Sequence, residues 1–438
     1  MTLINGTAFK PTEWSEEGLP IVRIQNLNNS QAGFNKYSGQ RPEKFRLYGG
    51  ELLFAWSGTP GTSFGAHIWR GEDAWLNQHI FNVKFDEREW DKRFLQLAIN
   101  QNLAEYIRAA HGGAGLAHIT KGRFEDSVLL QPSLGDQREI VAEIDKQFSR
   151  LDAGLAALKR AQANLKRYRA AVLNSACEGK LVPTEAELAA KEGRVYETGE
   201  ELLKRILDER RRSWQRRGKY MEPSPADTLR LPTLPDGWAW ASIAELGEIQ
   251  LGRQRSPKNI SKDSPTKYIR AGNITERGLD LEQVFEMEFT ASERERFALQ
   301  DGDILLSEAS GSASQVGKPA VWRSELPLCC FQNTVLRLRP MILSENFVLL
   351  VFQHFYANQI FARLAGGVGI NHLGAERFSE IPFPVPPLAE QKRIVAGVER
   401  VLSAVDSLGG VARANMDRSM RLRSSILDRV FGGEAVPG

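Results

Sequence analysis

The sequence predicts an α+β fold in which two similar mixed α/β modules are separated by two long helices that form an antiparallel coiled coil. The first observation is a repeat: His118 recurs as His372, so the period is 372 − 118 = 254 residues. The second is that Pro132–Pro183 matches Pro386–Pro437 without a gap, which indicates two copies of one structural unit. The third is a change from short β-rich runs to heptad spacing after each module.

The front of each copy repeats more loosely than the back. Arg23 matches Arg270 at an offset of 270 − 23 = 247, whereas Ser57 matches Ser310 at 310 − 57 = 253. Such drift indicates small insertions, which surface loops accept most easily. We therefore expect the front of each module to be the part that can recognise a different target in each copy. We expect the back of each module to be a shared scaffold.

The chain divides into a first module at residues 1–133, a helical segment at 134–183, a connector at 184–231, a second module at 232–387 and a second helical segment at 388–438. Each module is expected to be mostly β with one helix, because β-rich runs lie between Gly, Asn and Pro clusters. The expected strands are Leu19–Ile24, Leu52–Trp56, His79–Phe85, Trp238–Ile243, Lys267–Ala271, Asp303–Ser307 and Val335–Leu338. The expected module helices are Asp91–Ala110 and Phe347–Leu364.

Apolar residues at heptad spacing predict a long helix at Asp136–Leu181 and a matching one in the second copy, where Gly409–Gly410 is expected to interrupt the pattern. Because matching seams from matching units should pair, we expect an internal antiparallel coiled coil. A four-helix bundle or packing against the modules is the alternative. The expected seam residues are Ile144, Phe148, Leu151, Leu155, Leu158, Leu165, Val172, Val398, Leu402, Val405, Met416 and Ile426.

The connector is charged and helix-prone before it becomes Pro-rich. It carries the basic runs Arg210–Arg212 and Arg216–Arg217. We expect a solvated face here, with phosphate contact as the alternative.

The two copies also differ at their start: the second module opens with Leu234–Trp240, which the first lacks. Either the start of the first module is truncated or another segment supplies that strand.

Composition narrows the class of protein. The 438 residues carry a formal net charge of +3, a mild basicity that is compatible with nucleic acid without arguing for it. The three cysteines (Cys177, Cys329 and Cys330) have no metal-ligand spacing and suit a reducing cytosol. The sequence has neither a signal peptide nor an apolar run of about 18 residues, so we expect a cytoplasmic protein that does not span a membrane.

No pattern predicts catalysis. Gly311–Lys318 resembles a phosphate-binding loop, but its glycine spacing is wrong and Pro319 stands where Ser or Thr is needed. Ser57 and Ser310 have no neighbouring base in the sequence. The repeated glycine-rich loops (112–115 and 366–369) and the repeated histidines are expected to be structural, with a functional role as the alternative.

Several segments together resemble the specificity subunit of type I restriction–modification systems. Pro386–Val395 resembles the entry to the family's conserved helix, and Pro132–Val141 is a degraded version of it. Leu165–Leu173 resembles the exit of that helix, and Leu234–Trp240 resembles the opening of a target recognition domain. The similarity extends over essentially the whole chain.

The resemblance implies that each module is a target recognition domain that reads one half of a bipartite, asymmetric site on double-stranded DNA. The helices, with the seam residues named above, would set the spacer and dock two methyltransferase (M) subunits, and through them the restriction (R) subunits. This chain would be non-catalytic and bind no cofactor. The complex would use S-adenosylmethionine in its M subunits and ATP with Mg²⁺ in its R subunits.

Candidate DNA-contacting residues are those polar and basic side chains of predicted loops that suit base edges and phosphates. They are Lys10, Arg23, Asn26, Ser57, Thr59, Arg253, Arg255, Lys258, Arg270, Asn273, Ser310 and Ser312. Arginine and asparagine recur at equivalent places in both copies, which favours a shared structural or phosphate role over base discrimination. Two other classes stay open: a protein-recognition adaptor with two duplicated binding modules, and a hydrolase with an unrecognised site.

Overall fold

A computed structural model describes residues 1–29, 32–58, 64–103, 117–214, 219–254, 265–366 and 370–431. The chain forms two units, Met1–Arg160 with Ala412–Gly438 (the first unit) and Ala161–Val411 (the second unit). Each unit therefore contains one module and part of both long helices. No helix in these described ranges combines the length and the apolar character needed to cross a membrane.

A four-stranded antiparallel sheet forms the centre of the first unit. Its strands follow the order Thr2–Asn5, Ile80–Lys84, Leu52–Ala55 and Gly65–Ile68. The residues of Leu52–Ala55 are all buried. The helix Lys92–Gln101 begins at Asp91, whose side chain accepts hydrogen bonds from the backbone of two residues in the first turn, as N-cap aspartates do.

A second sheet of the first unit contains one parallel pair, Leu19–Val22 with Ala74–Leu76. The flanking strands Lys36–Tyr37 and Arg46–Leu47 run antiparallel to these two. The other elements are the strands Ser57–Gly58 and Ala117–His118, the α-helices Ile24–Asn28 and Lys121–Glu125, and the 3-10 helices Pro11–Glu13 and Glu43–Phe45.

The second unit repeats both sheets. Its antiparallel sheet has the order Gly247–Leu251, Val335–Pro340, Ile304–Ser307 and Pro319–Val321. Its parallel pair is Pro265–Ile269 with Cys329–Phe331. The other elements are the strands Ala239–Ser242, Ile274–Thr275, Gly278–Leu279, Phe285–Glu288, Ala309–Ser310, Asn371–His372 and Pro382–Val385, the helices Ile243–Leu246, Ala291–Phe297, Glu345–Ala357, Ile360–Leu364 and Ala375–Ser379, and the 3-10 helices Ala271–Asn273 and Ala313–Gln315.

The module helices differ from the predicted ones. The single helix expected at Phe347–Leu364 is two helices, because the chain turns at Asn358 and Gln359 and the latter has a φ of 60°. A left-handed residue of this kind interrupts the hydrogen-bond ladder of an α-helix. In the first module the helix Lys92–Gln101 is described, while residues 104–110 of the predicted helix lie outside the described residues.

The two long helices are Leu134–Cys177 and Leu388–Phe431. The expectation that Gly409–Gly410 interrupts the second one is wrong, since the helix continues through both glycines. Glycine in a helix interior costs only about 1 kcal/mol relative to alanine.

The helices pair antiparallel within each unit. In the first unit Ile144 and Phe148 of the first helix share a core with Ile426 and Val430 of the second. In the second unit Val172 and neighbouring residues of the first helix share a core with Val398 and Leu402 of the second. The seam residues named above are all buried or half-buried, whereas most residues between them are exposed. This is the burial pattern of a coiled-coil seam.

A buried glutamine joins each long helix to its module. Gln391 accepts a hydrogen bond from the Ser344 backbone N–H (3.0 Å) and donates one to the Pro386 carbonyl (2.9 Å). Gln137 accepts from the Asp91 backbone N–H (2.8 Å) and donates to the Glu89 and Pro132 carbonyls. Ser344 and Asp91 are the N-caps of the module helices, so the repeated glutamine holds the starts of two helices together.

The connector contains two capped helices, Glu185–Glu192 and Gly199–Arg212. Thr184 and Thr198 begin them with capping boxes. Leu202 and Ile206 of the second helix are fully buried in the core of the second unit. The basic run Arg210–Arg212 ends this helix, where cations complement the helix dipole. Arg216 and Arg217 lie outside the described residues.

Candidate nucleic-acid interface

An arginine and an asparagine occupy the same turn in both modules. The Asn26 side-chain oxygen accepts a hydrogen bond from the Arg23 backbone N–H (3.0 Å), and that of Asn273 accepts from the Arg270 backbone N–H (3.1 Å). Each asparagine then donates from its amide nitrogen to two backbone carbonyls. Both asparagines are at most 6% exposed. This geometry favours the structural alternative, because the amide groups are engaged inside the module.

The two arginines of this turn lie against aromatic rings. The guanidinium carbon of Arg23 lies 5.5 Å from the centre of the Trp14 ring, and that of Arg270 lies 4.2 Å from the Phe285 ring. Both arginines are half-buried. A guanidinium stacked in this way keeps its outer N–H groups available for an anion. Arg23 and Arg270 therefore remain suited to a phosphate contact.

Arg253 is engaged within the second module. Its Nε lies 2.7 Å from a Glu293 carboxylate oxygen, its side chain is 11% exposed, and it also donates to the Glu288 carbonyl. The guanidinium lies 5.0 Å from the centre of the Phe289 ring. Its position favours a role in orienting the chain that leads into residues 255–264 over direct contact with a base.

A serine-rich loop projects from the second module. Ser307 is 4% exposed and anchors the loop, because its hydroxyl donates to the Gln315 carbonyl and accepts from the Lys318 N–H. Beyond this anchor the Ser310 oxygen accepts from the Ser312 N–H at 3.2 Å. The Ser312 hydroxyl is exposed, and hydroxyls can donate to phosphates or contact bases.

A buried carboxylate borders the serine-rich loop. Glu308 is 5% exposed, and one of its oxygens lies 3.0 Å from Nδ1 of His372. His372 lies on the short strand that pairs with Ala309–Ser310. Its backbone exchanges two hydrogen bonds with Gly366, the only residue of that glycine-rich loop within the described ranges. These contacts favour a structural role for His372, in which it orients the loop.

The first module places its candidates differently. Ser57 is 6% exposed on a short strand that pairs with Ala117–His118. The expected match of Ser57 with Ser310 is wrong by one residue, because Ser57 pairs with His118 whereas Ala309 pairs with His372. Lys10 is exposed, and its backbone N–H donates to the Glu13 carboxylate at 2.8 Å. The candidates Thr59, Arg255 and Lys258, together with the loop at 112–115, lie outside the described residues.

The cysteines do not form a reactive centre in the described structure. All three are buried thiols. Burial raises the pKa of Cys329 and of Cys330 to about 12, and it raises the pKa of Cys177 further. Within the described ranges no group of three or more His, Cys, Asp and Glu side chains could hold a metal ion.

The partners of the candidate residues could not be named from the sequence. Trp14, Phe285 and Glu293 contact the candidates Arg23, Arg270 and Arg253 through the fold, from 9, 15 and 40 positions away. The one available signal was the repeat, because it pairs Arg23 with Arg270 and thereby marks the turn that both modules share.

The chain matches the family model described as the type I restriction modification DNA specificity domain, at residues 1–164 and 235–410. It is 24% identical to the specificity subunit of the type I restriction enzyme EcoBI of Escherichia coli, covering 99% of this chain and 84% of that protein. It is also 24% identical to the StySPI specificity subunit of Salmonella potsdam, covering 99% and 87%.

Two solved structures have the same fold. A chain from a study of complex assembly and conformational transition of the type I R-M system superposes with a TM-score of 0.64 at 17% identity, covering 99% of this chain and 96% of that one. The HsdS subunit of Thermoanaerobacter tengcongensis gives a TM-score of 0.54 at 15% identity, covering 95% and 91%. The duplicated modules, the paired long helices and the two matched regions together place this chain in the type I restriction–modification DNA specificity family.

Proposed function

We propose that this chain is the non-catalytic DNA-sequence-specificity subunit of a type I restriction–modification complex. Each module reads one half of a bipartite, asymmetric site on double-stranded DNA. The paired helices set the length of the unread spacer and dock two M subunits, through which R subunits join. S-adenosylmethionine in the M subunits and ATP with Mg²⁺ in the R subunits supply the chemistry of the complex.

The observation that carries this proposal is one backbone arrangement with two different side chains. The Ile119 N–H donates to the Trp56 carbonyl at 3.0 Å, and the Leu373 N–H donates to the Glu308 carbonyl at 3.0 Å. Since 373 − 119 = 254, these bonds are equivalent in the two copies. At this position the first module has the half-buried Trp56 and the second has the buried Glu308. One backbone scaffold thus supports its neighbouring loop with different side chains in the two modules, as two readers of different half-sites would require.

Arginine stacking supports a DNA partner. Arg23 and Arg270 occupy equivalent places in both modules, and each is half-buried with its guanidinium against an aromatic ring. Repeated phosphate contacts would hold each module in register while other loops read the bases. Because the net charge is only +3, we expect strong binding only once partner subunits enclose the DNA.

Exposed apolar residues on the long helices support docking of partner subunits. Large apolar side chains that are 49% to 58% exposed lie along both helices: Tyr168, Leu408, Val411, Met420 and Leu422. Large exposed apolar side chains are frequent at protein interfaces. We assign these residues, rather than the seam residues that the helix pair covers, to the contacts with the M subunits.

The test is methylation mapping in cells that express this chain with its cognate M subunit. We expect one bipartite motif with methyladenine on both strands. Exchanging the second module for that of a relative should change one half-site and leave the other unchanged. A complex that assembles yet shows no DNA affinity at any salt concentration would contradict the proposal and favour a protein-recognition adaptor.

A further inference from the structure

A basic residue precedes a phenylalanine at equivalent places in the two modules. Glu43–Phe45 has the sequence Glu-Lys-Phe and Glu295–Phe297 has the sequence Glu-Arg-Phe, at an offset of 297 − 45 = 252. The offset stays the same up to the glycine that precedes the next fully buried strand of each module. We call Lys44 and Arg296 the repeated cations. Neither is among the candidate DNA-contacting residues named above.

Each repeated cation lies over the ring of the phenylalanine that follows it. The ammonium nitrogen of Lys44 lies 5.0 Å from the centre of the Phe45 ring, and the guanidinium carbon of Arg296 lies 5.2 Å from that of the Phe297 ring. Both phenylalanines pack against the core of their module, whereas both cations are exposed. A ring beneath a long side chain limits its motion, which lowers the entropy lost when the cation binds an anion.

The repeated cations differ from the charged residues that lie three positions before them. Arg41 forms an ion pair with Glu13 at 2.5 Å in the first module, and Glu293 forms one with Arg253 at 2.7 Å in the second. These pairs anchor the chain just before each cation. Neither repeated cation forms an ion pair with a residue in the described ranges, and this includes the glutamate that precedes each of them. Each therefore has a charge that the protein leaves unneutralised.

In the second module a cleft of about 550 Å³ opens beside Arg296, between the strand Gly247–Leu251 and the helix Ala291–Phe297. Two arginines and one glutamate line it, so it has one positive charge in excess. The Nε of Arg296 donates to Oε1 of Gln250 at 3.4 Å, while its terminal nitrogens donate to none of the described residues. Because Gln250 is buried, it orients the guanidinium at the cleft and leaves the outer N–H groups for a ligand.

The chemistry of the repeated cations fits a phosphodiester better than a base edge. Two readers of different half-sites need different side chains at the bases, whereas the phosphates are the same in every sequence. A cation at the same place in both modules suits the group that is common to both half-sites. Lysine and arginine both bind phosphate, the first as a point charge and the second through its planar fork.

We propose that Lys44 and Arg296 are phosphate contacts, one in each module, in addition to Arg23 and Arg270. Each contact holds its module in place on the DNA backbone without adding to the sequence that the module reads. This inference rests on the proposed function and deepens it, because it separates residues that position a module from residues that select its half-site.

The test measures the affinity of the complex between this chain and its cognate M subunit for a duplex that carries the methylated motif, at several salt concentrations. The loss of one phosphate contact reduces the slope of log affinity against log salt concentration by about 0.9. We expect this reduction for Lys44→Gln and for Arg296→Gln, with binding weakened about fivefold to tenfold at about 0.1 M salt. The double variant should lose twice as much slope. The methylated motif should stay that of the parent.

Two control variants should keep the parental slope. Arg296→Lys retains the charge, and Arg230→Gln removes one positive charge from an exposed position of the connector. If the parent complex binds DNA and the glutamine variants of the repeated cations keep its slope, this inference alone is overturned. A relaxed motif in either variant would replace the phosphate role by base reading. A parent complex without salt-dependent DNA affinity would overturn the inference together with the proposed function.

Discussion

Arg169 and Asp406 form an ion pair at 2.8 Å between the two long helices in the second unit. The residues related to them by the repeat, Arg423 and Asp152, form an ion pair at 2.7 Å in the first unit. In both pairs the residue numbers add to 575 (169 + 406 and 152 + 423), which is the condition for a single antiparallel register. Each helix therefore presents the same arginine and the same aspartate to its partner.

These ion pairs should help to fix the register of the two helices while contributing little to the free energy of unfolding. Their side chains are 40% to 68% exposed, and exposed pairs contribute about 0.2–1 kcal/mol. We expect Arg169→Asp to lower the free energy of unfolding by about 1 kcal/mol, and the exchanged double variant with Asp406→Arg to recover most of this loss. Urea denaturation of the four proteins in the cycle measures the coupling. A coupling of zero in this pair would show that it does not hold the register.

The buried glutamines should matter much more than the ion pairs. Gln391→Leu removes the acceptor for the Ser344 N–H, and an unsatisfied buried donor costs about 1–3 kcal/mol. We expect a loss of that size in urea denaturation, and a similar loss for Gln137→Leu. The control is the exposed neighbour Lys392→Leu, which should change stability by less than about 0.5 kcal/mol. Equal effects at both positions would contradict the role of the glutamine.

Substitutions at two residues of the second module should have different effects, one on stability and the other on DNA binding. Asn273→Ala removes three hydrogen bonds inside a turn and should destabilise the protein by about 1–3 kcal/mol. The methylated motif should stay the same. Ser312→Ala changes an exposed hydroxyl and should leave the melting temperature unchanged while weakening DNA binding. Thermal melting and methylation mapping of both variants test this, and the reversed pattern would exclude the structural role of Asn273.

The buried thiols should be inert in the native protein. Burial raises the pKa of Cys330 from 9.0 to about 12, so only a negligible fraction is thiolate at pH 8. We expect all three cysteines to react with a thiol reagent only after denaturation. Between pH 9 and 12 the unfolded chain ionises while the folded chain does not, so stability should fall as pH rises. Fast native labelling at pH 8 would contradict the described burial.

The repeat made the architecture predictable. The side-chain contacts of the candidate site could not be predicted from it. A period of 254 residues and heptad spacing predicted two like units and paired helices, because backbone arrangement follows from periodicity that a single sequence displays. The break at Gln359 was missed, since φ at one residue depends on its tertiary neighbours. The stacking of Arg270 on Phe285 was missed for the same reason: the two residues meet only through the fold.

The most direct test of the account lengthens both long helices by one heptad. Seven residues inserted after Arg160 and after Ala414 would leave the Asp152–Arg423 pair in one unit and the Arg169–Asp406 pair in the other in register. Seven helical residues add about 10 Å, or roughly three base pairs at about 3.4 Å each. Methylation mapping should show the same two half-sites with a spacer about three base pairs longer. An unchanged spacer, or changed half-sites, would contradict the claim that the helices set the distance between two independent readers.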